Sequence, residues 1–544
     1  MRKSKPIKVP TTGVFDFETL IRDEEAKYVD KTALLYELAR HKADAQLFIS
    51  RPRRFGKSLM LSTLKAMFEG RRDLFKGLAI DKLPWEGWKK PTPVYSFTMG
   101  DVSGENYDEI KEQLGELVDE LYVQAGIPVP EKGTVPGKFR KFILAAAKKS
   151  PTGKIVILVD EYDEPVAAFL DDIKTLKRVR KLLHDFYEKL KFSSDSIRFL
   201  LMTGVTKLTK LSVFSGLNHL KDRSADPRFA TLLGYTPDEL GGALRENVES
   251  FGTKNGMDFN AAKGAILSWY DGYRFSPGCE ERVCNPVSLG NALETGELKG
   301  YWESTGKTTL VIDRIKKAGK LPEDLENVPA RPITLDVCDA ETLPMASLLY
   351  QGGYLTIKKV IPPPRKSDGQ PIGSESYILA PPNLEVREAL KSGYISQVMG
   401  IEEESFSPLV DQARRLIASG GIREVAETML FSLYAQIPPD WRIKDEAEAK
   451  RYFLLFCAML GANPAPKFAS VRGYADAVVE RPSAVYVFEF KYDESSEAAI
   501  KQIRERGYAD KWIGGERPVT LVGINFNPKK RNIDMPIIEK ECKV

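Results

Sequence analysis

A short apolar run, Gln46–Ser50, passes directly into Arg51–Ser58 (RPRRFGKS) and then into an amphipathic stretch with helical spacing. Strand, tight loop and helix in that order leave few folds open. Gly56 lets the backbone approach a ligand closely, Lys57 can reach terminal phosphates, and the Ser58 hydroxyl can ligate Mg2+ at the positive end of a helix. This is the tail of a phosphate-binding loop, GxxxxGK(S/T), with Arg51 where the first glycine is expected. Taken alone, a surface loop that happens to contain Gly-Lys-Ser fits as well.

A second feature tips the balance. Lys154–Val159 is an apolar strand that runs into two carboxylates, Asp160 and Glu161. In P-loop ATPases an Asp so placed holds Mg2+ and the following Glu polarises the attacking water. A solvated strand end is the competing reading, and the pairing with the loop favours a site for ATP and Mg2+. Arg53 and Arg54, just before Phe55-Gly56, can complement phosphate charge or stand as exposed loop arginines. Thr203, at the end of an apolar strand, sits where ATPases of this type carry a polar sensor of the γ-phosphate, or else caps the strand. Asp30 reads as the N-cap of a helix over Lys31–Arg40.

The runs Gln46–Ser50, Val94–Thr98, Lys154–Val159 and Ile197–Thr203 lack polar alternation, as strands covered on both faces do. With helical stretches between them, they predict an α/β domain with a parallel sheet over residues 1–240. Helices are expected over Pro237–Gly252 and Asn260–Asp271. A helix, a strand Tyr354–Val360, a Pro/Gly/Ser-rich tip and a strand Tyr377–Ala380 then suggest a winged-helix-like unit within a helical middle region, 241–400. Residues 405–460 read as mostly helical. The third domain, 401–544, returns to α/β: a helix Ala447–Leu460, strands Gly473–Glu480 and Ala484–Tyr492, a helix Ser496–Asp510 and a strand Thr520–Phe526.

That last domain carries its own constellation. Asp476 opens one strand, and thirteen residues on come Glu489, Phe490 and Lys491. Strand alternation puts Glu489 and Lys491 on one face and Phe488 and Phe490 on the other. Asp476 on the neighbouring strand can meet Glu489, and two carboxylates with a backbone carbonyl suit Mg2+. Lys491, about 6–7 Å along the face, can orient the attacking water and steady a phosphate. Acid-x-Lys by itself is a weak signal, since exposed strand faces often alternate charge.

Phe15-Asp16-Phe17, Tyr28–Thr32, Ser50–Ser58, Val159–Glu164, Thr203–Lys207 and Asp226–Phe229 together closely resemble the bacterial AAA-ATPase-like family. Its members usually end in a nuclease-like domain of the PD-(D/E)XK superfamily, which Asp476, Glu489 and Lys491 resemble in turn. The resemblance implies an ASCE-type P-loop fold and a restriction-endonuclease-like C-terminal domain. It also implies that Gln502, on the following helix, faces the cutting site. An acid on the preceding helix would complete the metal shell: Glu446 fits that place best, with Glu448 its neighbour.

Composition narrows the remaining classes. Lys+Arg 80 against Asp+Glu 76 leaves +4, too balanced for a polybasic coat. Five cysteines argue against a disulfide scaffold, and three histidines against a His-rich zinc site or a Ser-His-Asp hydrolase. Cys279, Cys284, His184, His219 and the aromatics around Trp269, Tyr301 and Trp302 read as structural, while Arg365 and Lys366 at the tip could touch nucleic acid or protein. The basic N-terminus lacks an apolar run behind it, and Tyr452–Ala462 is too short for a membrane span, so no membrane partner and a cytoplasmic setting are expected.

These features predict an ATP-regulated, Mg2+-dependent nuclease, with DNA favoured over RNA. The alternative is a nucleotide switch whose C-terminal domain binds nucleic acid or a protein without cutting. A small-molecule phosphotransferase is disfavoured, because Asp160-Glu161 suits attack by water. Oligomerisation, and an arginine finger from a neighbouring subunit, are not derivable from the sequence.

Overall fold

Five parallel strands form the N-terminal sheet: β1 (Gln46–Ser50), β2 (Val94–Thr98), β3 (Ile155–Asp160), β4 (Ile197–Gly204) and β5 (Lys221–Asp222), in the order β2-β3-β4-β1-β5. The computed structural model describes residues 7–10, 12–41, 45–169, 172–207, 220–302, 322–336, 344–399, 424–435, 443–459, 465–470, 473–480 and 484–541, with short pieces within 311–320 and 412–416. All of β3 is buried, which is why it reads as an unbroken apolar run.

The helices around this sheet are α1 (Lys57–Phe68), α2 (Tyr107–Gln124), α3 (Val135–Lys149) and α4 (Ile173–Phe192). Three begin at side-chain caps: Asn106 accepts from the backbone of Asp108 and Glu109, Thr134 from Gly137, and Asp172 from Lys174 and Thr175. Their apolar stripes bury Leu114, Val118, Phe139, Ile143, Leu183 and Phe186 against the sheet. The parallel register aligns Ser50 with Gly204 and Thr98 with Asp160, so the loops after β1, β2, β3 and β4 emerge at one edge.

The chain divides into two compact units, Met1–Gly306 with Leu325–Arg387 and Lys307–Asp324 with Glu388–Val544. Within the first, α5 (Arg245–Lys254), α6 (Phe259–Tyr270) and α7 (Pro286–Thr295) gather around Val248, Phe251, Ile266 and Leu289, joined by Val29 from the N-terminal segment. The single helix expected over Pro237–Gly252 is two, Pro237–Gly241 and α5, because the paired glycines Gly241-Gly242 interrupt it. α8 (Met345–Gln351) precedes a hairpin, as the sequence suggests. A strand not expected, β6 (Val328–Ala330), joins β7 (Thr356–Ile361) and β8 (Ser376–Ala380) in the order β6-β8-β7.

The second unit carries a mixed sheet of β9 (Ala465–Ser470), β10 (Gly473–Glu480), β11 (Val485–Tyr492), β12 (Val519–Asn527), β13 (Asn532–Ile533) and β14 (Ile537–Glu541). β10 pairs antiparallel with β11, and β11 parallel with β12. The preceding helix is α9 (Glu446–Met459), and the crossover helix is α10 (Ser496–Arg506), which stops at Gly507 in a left-handed conformation (φ 60°). His219, and the parts of the helical stretch 405–460 at 405–411, 417–423 and 436–442, lie outside the described residues. No described helix is long and apolar enough to cross a membrane.

Candidate active sites

The loop after β1 takes left-handed backbone at Arg54 (φ 65°) and Gly56 (φ 84°). Glycine adopts that conformation freely and arginine does not. Gly56 starts α1 without a side-chain cap, so the first helical N–H groups have no side-chain acceptor, an arrangement suited to an anion. Lys57 is buried and its Nζ donates to the carbonyls of Arg51 and Pro52 at 2.9 Å each, tying the loop together. Burial lowers its pKa against the opposing pull of Asp160.

Arg51, where a glycine was expected, is a buried post. Its guanidinium donates to the carbonyls of Ser50, Ser224 and Phe229 at 2.8, 2.7 and 3.1 Å and lies 4.2 Å over the ring of Phe275. Arg53 pairs with Glu164 at 2.9 Å, and Phe55 packs edge-on against Tyr273 and Phe275. Asp30 accepts from Thr32 N at 2.8 Å and Ala79 N at 2.7 Å, a structural role.

The strand ends assemble around Asp160. Ser58 Oγ donates to its Oδ2 and Thr203 Oγ1 to its Oδ1, both at 2.6 Å. Glu161 sits at φ 50° with Thr98 Oγ1 donating to its Oε2 at 3.3 Å. Burial, and then the neighbouring Asp160, raise its pKa, as suits a base. A Cβ on Gly100 would stand 2.2 Å from Glu161 Oε2, so any side chain there would push that carboxylate from its place. A cavity of about 650 Å³ opens beside Ser58 and Asp160. Gly56 itself, with Tyr28, Val29, Leu59, Leu233 and Tyr235, lines a smaller, more apolar cleft.

Around β11 in the second unit, Glu489 is only 2% exposed. Both faces of β11 are covered: Phe488 and Phe490 meet Phe453 at ring distances of 5.0 and 4.4 Å, and α10 brings Gln502, whose Nε2 donates to Glu489 Oε1. Burial, then the charge of Asp476, push the Glu489 carboxyl up to about 8, while Lys450 and Lys491 pull the other way. Asp476 Oδ2 accepts from Phe490 N at 2.8 Å. Its Oδ1 meets Lys450 Nζ at 2.7 Å, and the same ammonium lies 2.5 Å from Glu446 Oε1. Glu448 instead accepts from Lys444 N at 2.8 Å, closing the start of α9.

Mg2+ needs hard oxygen donors. Ser58 and Asp160 offer them at the first site, and at the second Glu489 Oε2 is buried with no hydrogen-bond partner among the described residues. Among the described residues no three His, Cys, Asp or Glu side chains converge as a metal cluster: Glu446 and Asp476 are bridged by Lys450. Sequence reasoning missed Lys450, though its i+4 spacing from Glu446 was a visible signal. It also missed Thr98 and the apolar cleft, which no local motif announces.

A parallel sheet in this order, with a Gly-Lys-Ser loop at one strand end and Asp-Glu at another, defines a P-loop fold. Residues 11–214 match the family described as "Predicted AAA-ATPase", and residues 444–535 match the "PD-(D/E)XK nuclease superfamily". Over 546 residues, 99% of each chain, the sequence is 30% identical to an Azotobacter chroococcum mcd 1 protein described as "Uncharacterized protein in vnfD 5'region". The chain belongs to the AAA-ATPase-like family and carries a C-terminal PD-(D/E)XK nuclease superfamily domain.

Proposed function

We propose that the protein binds and hydrolyses ATP and cuts DNA with Mg2+ at its C-terminal domain, the nucleotide state governing the cut. The reading takes residues 1–240 as the ATPase domain, 241–400 as the middle region and 401–544 as the nuclease domain. The observation that carries it is the convergence of Ser58, Asp160 and Thr203 under the Gly56 helix start.

Lys57 would leave the loop carbonyls for the terminal phosphates, with Arg53 and Arg54 adding positive charge at the loop. Ser58 and Asp160 would hold Mg2+, which supplies charge neutralisation on the phosphates. Glu161 would take a proton from the attacking water, and Thr203 would hold Asp160 in register. The apolar cleft beside Tyr28 and Tyr235 fits a flat base. At the second site Asp476 and Glu489, helped by Glu446, would hold the ion. Gln502 orients Glu489, and Lys491 orients the water that attacks the phosphodiester.

The test is cleavage of plasmid and single-stranded DNA with Mg2+, with and without ATP, by the wild type, Lys57→Ala and Lys491→Ala. Lys491→Ala should stop cutting and keep nucleotide binding; cutting at the wild-type rate by Lys491→Ala refutes the assignment. The second reading, a nucleotide switch with a non-cutting C-terminal platform, is favoured by the bridging of Glu446 and Asp476 through Lys450. A platform would tolerate loss of Asp476 or Glu489.

A further inference from the structure

Lys450 lies one turn beyond Glu446 on α9, with Asp476 facing it from β10. Its ammonium stands 2.5 Å from Glu446 Oε1 and 2.7 Å from Asp476 Oδ1, in a pocket where its side chain is 25% exposed and that of Asp476 15%. The second Asp476 oxygen is taken by Phe490 N. Both oxygens of the carboxylate most central to the site are therefore occupied by the chain itself, and the occupant between the two acids is a full positive charge. Beside them Glu489 Oε2 stays buried and without a partner among the described residues.

We infer that Lys450 is a tethered cation that occupies the metal position between Glu446 and Asp476, so that a divalent ion binds only by displacing its ammonium. The inference rests on the proposed metal role of these carboxylates. An ammonium and a divalent ion on one carboxylate oxygen oppose each other, because like charges at contact distance repel. Lysine is suited to such an exchange, because its charge sits on a flexible four-carbon stem that can swing aside, unlike a planar, two-pronged arginine. In the absence of metal, one positive charge from within the chain offsets part of the charge of the two acids.

The test is a Mn2+ titration of the full chain, followed by electron paramagnetic resonance without nucleic acid, in the wild type, Lys450→Gln and Asp476→Asn. The ion lost in Asp476→Asn is the one at this site. Lys450→Gln should bind it at least about tenfold more tightly, the size expected from removing competing charge-assisted hydrogen bonds. Equal or weaker binding in Lys450→Gln overturns the inference and leaves the metal site standing. If no Asp476-dependent ion appears in either the wild type or Lys450→Gln, the metal reading and the inference fall together.

A measurement on the wild type alone guards against a variant that does not fold. Reductive methylation of Lys450, read by mass spectrometry, should become several-fold faster on adding Mn2+, and an unchanged rate overturns the inference.

Discussion

Asp160 and Asp476 each belong to a strand beside an apolar core, and the chain restrains them differently. The hydroxyls of Ser58 and Thr203 hold Asp160, whereas the ammonium of Lys450 holds one oxygen of Asp476. A hydroxyl oxygen can stay and become a ligand when an ion arrives, and the ammonium that must move at the first site, Lys57, is held by loop carbonyls and not by the acid. At the second site the ammonium sits on the acid itself. On the proposed function, the two sites would differ in that loading the second requires a cation to leave the metal-binding acid, a difference that would suit a nuclease restrained in the absence of metal.

Breaking the chemistry of the second site while sparing the first gives the largest expected effect. Glu489→Gln keeps the shape and removes the carboxyl that would ionise on an arriving ion, and cleavage should fall about a thousandfold, the upper range for one preorganised polar group. Nucleotide affinity, measured by fluorescent-nucleotide titration, should not change; a parallel loss would mean the sites are not separate.

Next comes the post beneath the first site. Arg51→Ala strands three buried carbonyls, and urea unfolding should show a loss of about 3 kcal/mol or more. A smaller step separates binding from hydrolysis at the same site. Gly100→Ala drives a methyl into Glu161, so the ATPase rate should fall about tenfold with nucleotide affinity kept.

An effect visible only as a change with pH concerns Glu385, at the start of the helix Leu384–Met399, which accepts from Tyr301 N and Trp302 N at 2.8 and 3.0 Å while burial pushes its carboxyl up to about 7. A raised carboxyl pKa favours the folded state at low pH, and that contribution is lost as pH climbs from the ordinary carboxylate range towards 7. Glu385→Gln should therefore gain stability relative to wild type from pH 5 to pH 8, by about 1–3 kcal/mol in thermal or urea unfolding. A pH-independent difference would contradict this.

The strands that position both sites were legible because burial on both faces makes β3 and β4 continuous apolar runs, and because β11 ends in an acid-x-Lys pattern. The edge strand β9, with Pro466 and Lys467 in its span, gave no such signal, nor did the two-residue strands β5 and β13. The phosphate loop was readable from Gly56-Lys57-Ser58, but not the role of Arg51. Its partners Ser224, Phe229 and Phe275 come from more than 170 residues downstream. The expectation for β11 placed only its phenylalanines in the core, yet Glu489 is buried too, since α10 closes the other face. Lys450 escaped notice for a related reason: helical spacing shows it near Glu446, and only the tertiary fold brings Asp476 to it.

Counting ions tests the central claim of two independent metal-phosphate sites most directly. With saturating ATP, a Mn2+ titration of the full chain should find two ions per chain. Asp160→Asn should remove the nucleotide-dependent ion and Asp476→Asn the other, each leaving its counterpart in place. One ion in the wild type, lost in Asp160→Asn and untouched in Asp476→Asn, would contradict the account.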